Sequence, residues 1–249
     1  MPPAPDTPVH ETPARSGAAR ERRPWGPALE LTAWIAFFLV FIGVAIAPAF
    51  FRRDPGAAAD SLVKLTKPAW GISAGALQLL VLWIAIALTR KAGRTTASLG
   101  WTRGHLAAEI ALGVAAFAAF YFTQSLWVGP LLSGFPKEQL ALPVLDRPSA
   151  VLSWGVFTAS VALMEEGVLR GYGYGVLNAY LKQPWISAVL VSGLFGVAHL
   201  YQGWGPVVAL AIFGFYLNAL LIWRRSLVAP ILVHFLNDFL APLLARHAN

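Results

Sequence analysis

The chain of 249 residues contains no cysteine and little charge. The first absence excludes disulfides, thiol nucleophiles and Cys-ligated zinc or iron–sulfur centres. Charged residues make up only 12%, about half of the roughly 25% usual in soluble domains. Too little polar surface is left to coat the 57% of residues that are hydrophobic. That excludes a disordered chain, a coiled coil and an ordinary soluble globule. What remains is an all-α, multi-pass membrane protein, and the mean hydropathy of +0.61 agrees. The excess of basic over acidic residues, 19 against 12, fits loops facing anionic lipid rather than nucleic acid, which is not expected as a partner.

Residues 1–28 are rich in Pro, Ala and Arg and predict a disordered basic tail. No short apolar run with a small-residue cleavage site follows its arginines, so it is not read as a signal peptide. Charge-free runs then cover Leu31 to Phe51, Pro68 to Thr89 and Ile110 to Pro136, the last as one tilted helix or a helix with a re-entrant turn. A fourth run starts at Ser149 and stays apolar until Glu165. From Gln183 to Trp223 there is no Asp, Glu, Lys or Arg, and the turn at Gly203–Pro206 divides that stretch into two spans. Leu227 to Leu244 form the last one. The count is seven or eight helices, depending on whether the chain breaks at the glycines from Gly171 to Gly175, where a flexible or closely packed break is expected. The predicted organisation is thus a tail (1–28), three spans (29–147) and a core (148–246) that carries every motif. Eight Lys and Arg in the tail and the loop after the second span, against six in the loops after the first and third, place the N-terminus inside.

Most acidic residues sit in the tail or loops, but Glu165, Glu166 and Asp238 lie within or at the ends of apolar spans. An ionisable group inside a span costs roughly 2.5–3.5 kcal/mol on insertion scales, so these three, with Arg170, His199 and His234, need an explanation. Glu166 and Arg170 are four apart and share a helix face, which suits an ion pair. Glu165 is left over, a carboxylate of the kind a general base requires. His199, taken alone, reads as a hydrogen-bonded group at a span's end. His234 and Asp238 are again four apart, so Asp238 is placed to fix the imidazole tautomer. Three separate helices bringing polar groups into apolar surroundings predict convergence in a polar cavity. Two His, two or three carboxylates and one Arg suit hydrolysis by an activated water, with or without a divalent metal. The His-Glu-x-x-His metal motif is absent, Ser192-Gly193 lacks the glycine that a serine-protease turn needs, and His105 and Glu109 read as interface residues.

Glu165-Glu166-x-x-x-Arg170, Phe195-x-x-x-His199 and His234-x-x-x-Asp238, in this order within apolar spans, resemble the CPBP family of intramembrane proteases. This is the CAAX-protease and bacteriocin-processing family, also called Abi. The resemblance covers roughly residues 150–240. It implies an eight-helix membrane core around a polar cavity, a peptide or protein substrate, and placement across the cell (inner) membrane bilayer. It further implies that Glu165 and His199 activate water, that His234 and Asp238 stabilise the oxyanion, and that Arg170, Phe195 and Asn237 support them. Glu166 is then either held by Arg170 or a metal ligand. If a divalent metal such as zinc takes part, Glu165, His199 and His234 are its expected ligands. Asp238 departs from the family's commoner Asn, which donates hydrogen bonds that an ionised Asp cannot. Two other classes use the same groups: a proton-coupled transporter, with the acids as a relay, and a non-catalytic immunity or scaffold protein that binds a peptide.

Overall fold

The structure, a computed structural model, describes residues 25–51, 63–101, 105–135 and 142–245. The basic tail therefore lies outside the described residues, apart from its last four positions. The described residues form helices and no strands. They are α1 (Pro27–Phe51), α2 (Pro68–Lys91), α3 (Leu106–Leu132), α4 (Pro148–Glu165), α5 (Tyr174–Leu181), α6 (Pro184–Ala198), α7 (Trp204–Arg224) and α8 (Val228–Ala245). Short 3₁₀ turns at Thr96–Leu99 and Leu200–Gln202 complete the order. α1, α2, α4 and α6 each start on proline, whose missing N–H costs nothing in the first turn.

Four helices are long and apolar enough to cross a membrane: Pro68–Lys91, Leu106–Gln124, Pro148–Leu181 and Trp204–Arg224. Three shorter apolar helices, Pro27–Phe41, Pro184–Ala198 and Val228–Leu244, accompany them. Leu39, Trp83, Phe122 and Trp223 project from these helices with more than half their surface exposed, as lipid-facing side chains do. Inside the helices, hydroxyls bond back to carbonyls one turn earlier, among them Thr89 to Ala85, Thr158 to Trp154 and Ser192 to Ala188. An apolar environment supplies no other partner.

The expected break at Gly171 is not there. The chain runs from α4 into α5 through a π-helical stretch, Glu166–Gly173, making one rod from Pro148 to Leu181. This is also why the sequence leaves seven and eight helices undecided. The glycines serve close packing instead. A Cβ on Gly173 would lie 2.7 Å from the Trp34 ring of α1, and one on Gly171 would lie 3.2 Å from the carbonyl of Leu99. The third apolar run is one helix, with Pro130 inside it and no re-entrant turn before Leu132.

The π stretch is buried along its whole length. Val168, Leu169 and Tyr172 join Phe195 of α6, Leu217 of α7 and Val233 of α8 in the main hydrophobic core. α6 packs chiefly on α7, α2 on α4, and α3 on α8. The rod therefore has Glu165 near its midpoint, with α6 and α8 beside it.

Two further acids are buried that the sequence places in loops or interfaces. Glu30, in the first turn of α1, pairs with Arg94 Nε at 2.6 Å. Glu109, in the first turn of α3, takes two bonds from Arg224 at 2.7 and 3.0 Å.

Candidate active site

Glu165 is the last residue of α4 and Glu166 the first of the π stretch, so the two carboxylates leave the rod in succession. π-helical turns inside α-helices frequently mark functional sites. Here the wider winding still leaves Glu166 and Arg170 on one face, with Arg170 Nη1 donating to Glu166 Oε1 at 3.0 Å. Both side chains are fully buried. The expected ion pair is present, and breaking such a pair typically costs about 3–5 kcal/mol.

The same Glu166 oxygen also accepts from His234 Nδ1, at 2.8 Å. A carboxylate paired with arginine is an acceptor, so Nδ1 carries a proton. The other nitrogen of His234, Nε2, then faces Asp238 Oδ2 at 3.4 Å and Glu165 Oε2 at 3.7 Å. The His234–Asp238 pair predicted from its spacing is therefore present. Its second neighbour, Glu165, comes from the rod. Asp238 Oδ1 accepts from Asn237 Nδ2 at 3.1 Å, and the Asp238 carbonyl accepts from Trp154 Nε1 at 3.3 Å.

His199 caps the C-terminus of α6, and its Nδ1 lies 2.8 Å from the Phe195 carbonyl one turn earlier. A carbonyl can only accept, so Nδ1 carries a proton, and in the neutral ring the lone pair is on Nε2. Glu165 lies within electrostatic reach of His199, His234 and Asp238. Phe195 joins the parts. The Arg170 guanidinium stands 4.4 Å above its ring centre, and the rings of His199 and His234 meet it edge-on at 4.8 and 5.8 Å.

Exposure divides the cluster into two layers. The side chains of Glu166, Arg170 and His234 are at most 4% exposed, whereas Glu165 reaches 14% and Asp238 31%. The inner layer holds geometry and the outer one is open to a reactant. One cavity lies against α3 near Tyr121, and another lies between the Arg94 turn and α5, reaching the cluster only at Arg170. The convergence of side chains, not cavity size, identifies this site.

Sequence reasoning missed four contributors. Phe213 packs edge-on against His234 at 5.7 Å, and Tyr201 tilts against His199 at 5.9 Å. Trp154 braces the backbone at Asp238, and Gly214 leaves room for Arg170 Nη2, which lies 2.8 Å from where a Cβ would stand. Only Tyr201, two residues from His199, is near a motif in sequence.

For a metal, the test is whether ligands converge. Among the described residues no three His, Asp or Glu side chains are grouped so that they could hold an ion. His234 Nδ1 and His199 Nδ1 bond to Glu166 and Phe195, so Nε2 is the nitrogen each ring offers.

Residues 147–240 match the family model described as Type II CAAX prenyl endopeptidase Rce1-like. No curated protein and no solved structure matches the chain.

Proposed function

From the match of residues 147–240 to the Rce1-like CAAX endopeptidase model, we propose that the protein hydrolyses a peptide bond inside a membrane, with a water activated by Glu165 and His199. The observation that carries the reading is the 3.7 Å approach of Glu165 to His234 Nε2, beside a His199 whose Nδ1 is held by the Phe195 carbonyl. A water between Glu165 and His199 loses its proton to the carboxylate or the free imidazole nitrogen as it attacks the substrate carbonyl. Negative charge then develops on the carbonyl oxygen. His234 faces it with Nε2 while Nδ1–H remains bonded to Glu166, and a proton on Nε2 makes that nitrogen the oxyanion donor.

Asp238 fits the role of orienting acceptor better than that of oxyanion donor. Asn237 already donates to one of its oxygens, and the other faces His234. This accounts for a carboxylate where the family more often has Asn. Glu166 and Arg170 act through His234, holding its ring rather than meeting substrate.

Orientation has support from the basic residues. Arg94, Asn178, Pro184 and Arg225 line one cavity, so the ends of α2, α5 and α7 and the start of α6 gather on one face. Arg90, Lys91, Lys182 and Arg224 belong to the same helix ends, and a face so rich in Lys and Arg is expected on the cytoplasmic side. Together with the apolar helices, this supports reading the protein as a multi-pass protein of the cell membrane.

The test is incubation of the purified full chain in detergent with a mixture of peptides, followed by mass spectrometry of the products. Discrete internal cleavages support the reading. Intact peptides, together with proton-coupled uptake into vesicles, would reassign the acids to a transport relay.

A further inference from the structure

A second polar centre lies on the basic face and borders the catalytic cluster only at Arg170. It is a cavity of about 590 Å³ between the Arg94–Gly100 turn, the end of the rod, the start of α6 and the end of α7. Three arginines line it, Arg94, Arg170 and Arg225, with Ser98 and Asn178, and no acidic residue among the described residues does.

The guanidinium of Arg94 is fixed at the wall. Its Nε pairs with Glu30 and its Nη1 donates to the Gly175 carbonyl at 3.1 Å. Its Nη2 is buried and has no partner, although the side chain is only 6% exposed. Arg170 also borders the cavity, but its guanidinium is turned to the catalytic cluster, on Glu166, the Phe195 ring and Gly214. Arg225 is exposed, has no acidic partner among the described residues, and ends α7 in a left-handed conformation at φ 55. Pro184 opens α6, whose N-terminus receives no side-chain cap. The spare Arg94 donor, the Arg225 guanidinium and the uncapped start of α6 therefore line one cavity. Arg94 already has one carboxylate, so Arg225 supplies the net positive charge and Arg94 a spare donor.

Buried donors without partners are rare in folded proteins, and each calls for an acceptor. We propose that this cavity binds a phosphate group, carried by an anionic lipid headgroup or free in solution. Guanidinium groups match the geometry of phosphate oxygens, and the volume suits a headgroup-sized ligand. At the membrane surface, a basic face already gathers such anions.

The test uses the purified full chain in neutral detergent, with thermal unfolding and native mass spectrometry as readouts. The probes are inorganic phosphate and mixed micelles of phosphatidylcholine with or without phosphatidic acid. Binding by wild type should weaken about tenfold in Arg225→Gln, the scale of one hydrogen bond to a charged group. It should vanish in Ala97→Glu, which sets an anion at the exposed rim of the cavity. Arg90→Gln, exposed at the end of α2 and outside the lining, should bind within about twofold of wild type. Stabilisation by both probes identifies free phosphate as sufficient, and stabilisation by phosphatidic acid alone identifies the lipid as the source. The proposal is overturned if neither probe binds, or if Arg90→Gln weakens binding as much as Arg225→Gln, which would mark diffuse attraction to a basic face.

Discussion

One oxygen of Glu166 receives both Arg170 and His234, and this node decides what each neighbouring substitution does. Because Asp238 accepts from Asn237 and faces His234, Asp238→Asn keeps one acceptor and should lower the cleavage rate by only a few-fold. Asp238→Ala removes both and should cost at least about 10²-fold. Equal losses in the two variants, measured as kcat on one peptide, would give the carboxylate charge itself a role. Gly214 presents the opposite case, a residue that works by being small. An alanine there would meet Arg170 Nη2 at 2.8 Å and the Phe195 ring at 3.0 Å. Overpacking of this kind costs typically about 1–3 kcal/mol, and here it pushes on the group that holds Glu166. Gly214→Ala should lower both the unfolding temperature and kcat; wild-type values in both would mean that the guanidinium has room to move.

Among the elements, the π stretch does most to build the site, and it was the least legible. Periodicity marks the apolar spans, since long charge-free runs have few other readings, and motif pairs four residues apart land on one helix face as expected. Five glycine and tyrosine residues from Gly171 to Gly175 instead suggest a break, because nothing local distinguishes a helix end from a tightly packed helix. The deciding contacts, Trp34 and Leu99, come from other elements. The same reason hides Glu30 and Glu109, whose arginine partners lie far along the chain. It also hides the bond from His234 to Glu166, 68 residues apart. Arg170 pins this stretch to Phe195 as well as to Glu166. Arg170→Ala should therefore lower the yield of folded protein, read by size-exclusion profile and unfolding temperature, more than Glu165→Gln does. A stable and active Arg170→Ala protein would show that Glu166 does not need its cation.

For the whole molecule, the site on the proposed reading divides into an inner layer of buried, mutually bonded groups and an outer layer, Glu165, His199 and Asp238, that would act on a bound water. With no grouped ligand set among the described residues, a chelator should leave peptide cleavage unchanged. Loss of activity restored by added zinc would give Glu165, His199 and His234 a ligand role instead.

The central claim is that Glu165 is the base. It is the one carboxylate of the cluster without an arginine or a hydrogen-bonded donor on its inner oxygen. The direct measurement compares kcat for one cleaved peptide between wild type and Glu165→Gln, both purified in detergent with matching unfolding temperatures. The account predicts a loss of at least about 10²-fold, because glutamine keeps the shape but cannot take the proton. A folded Glu165→Gln protein that cleaves at the wild-type rate would contradict it.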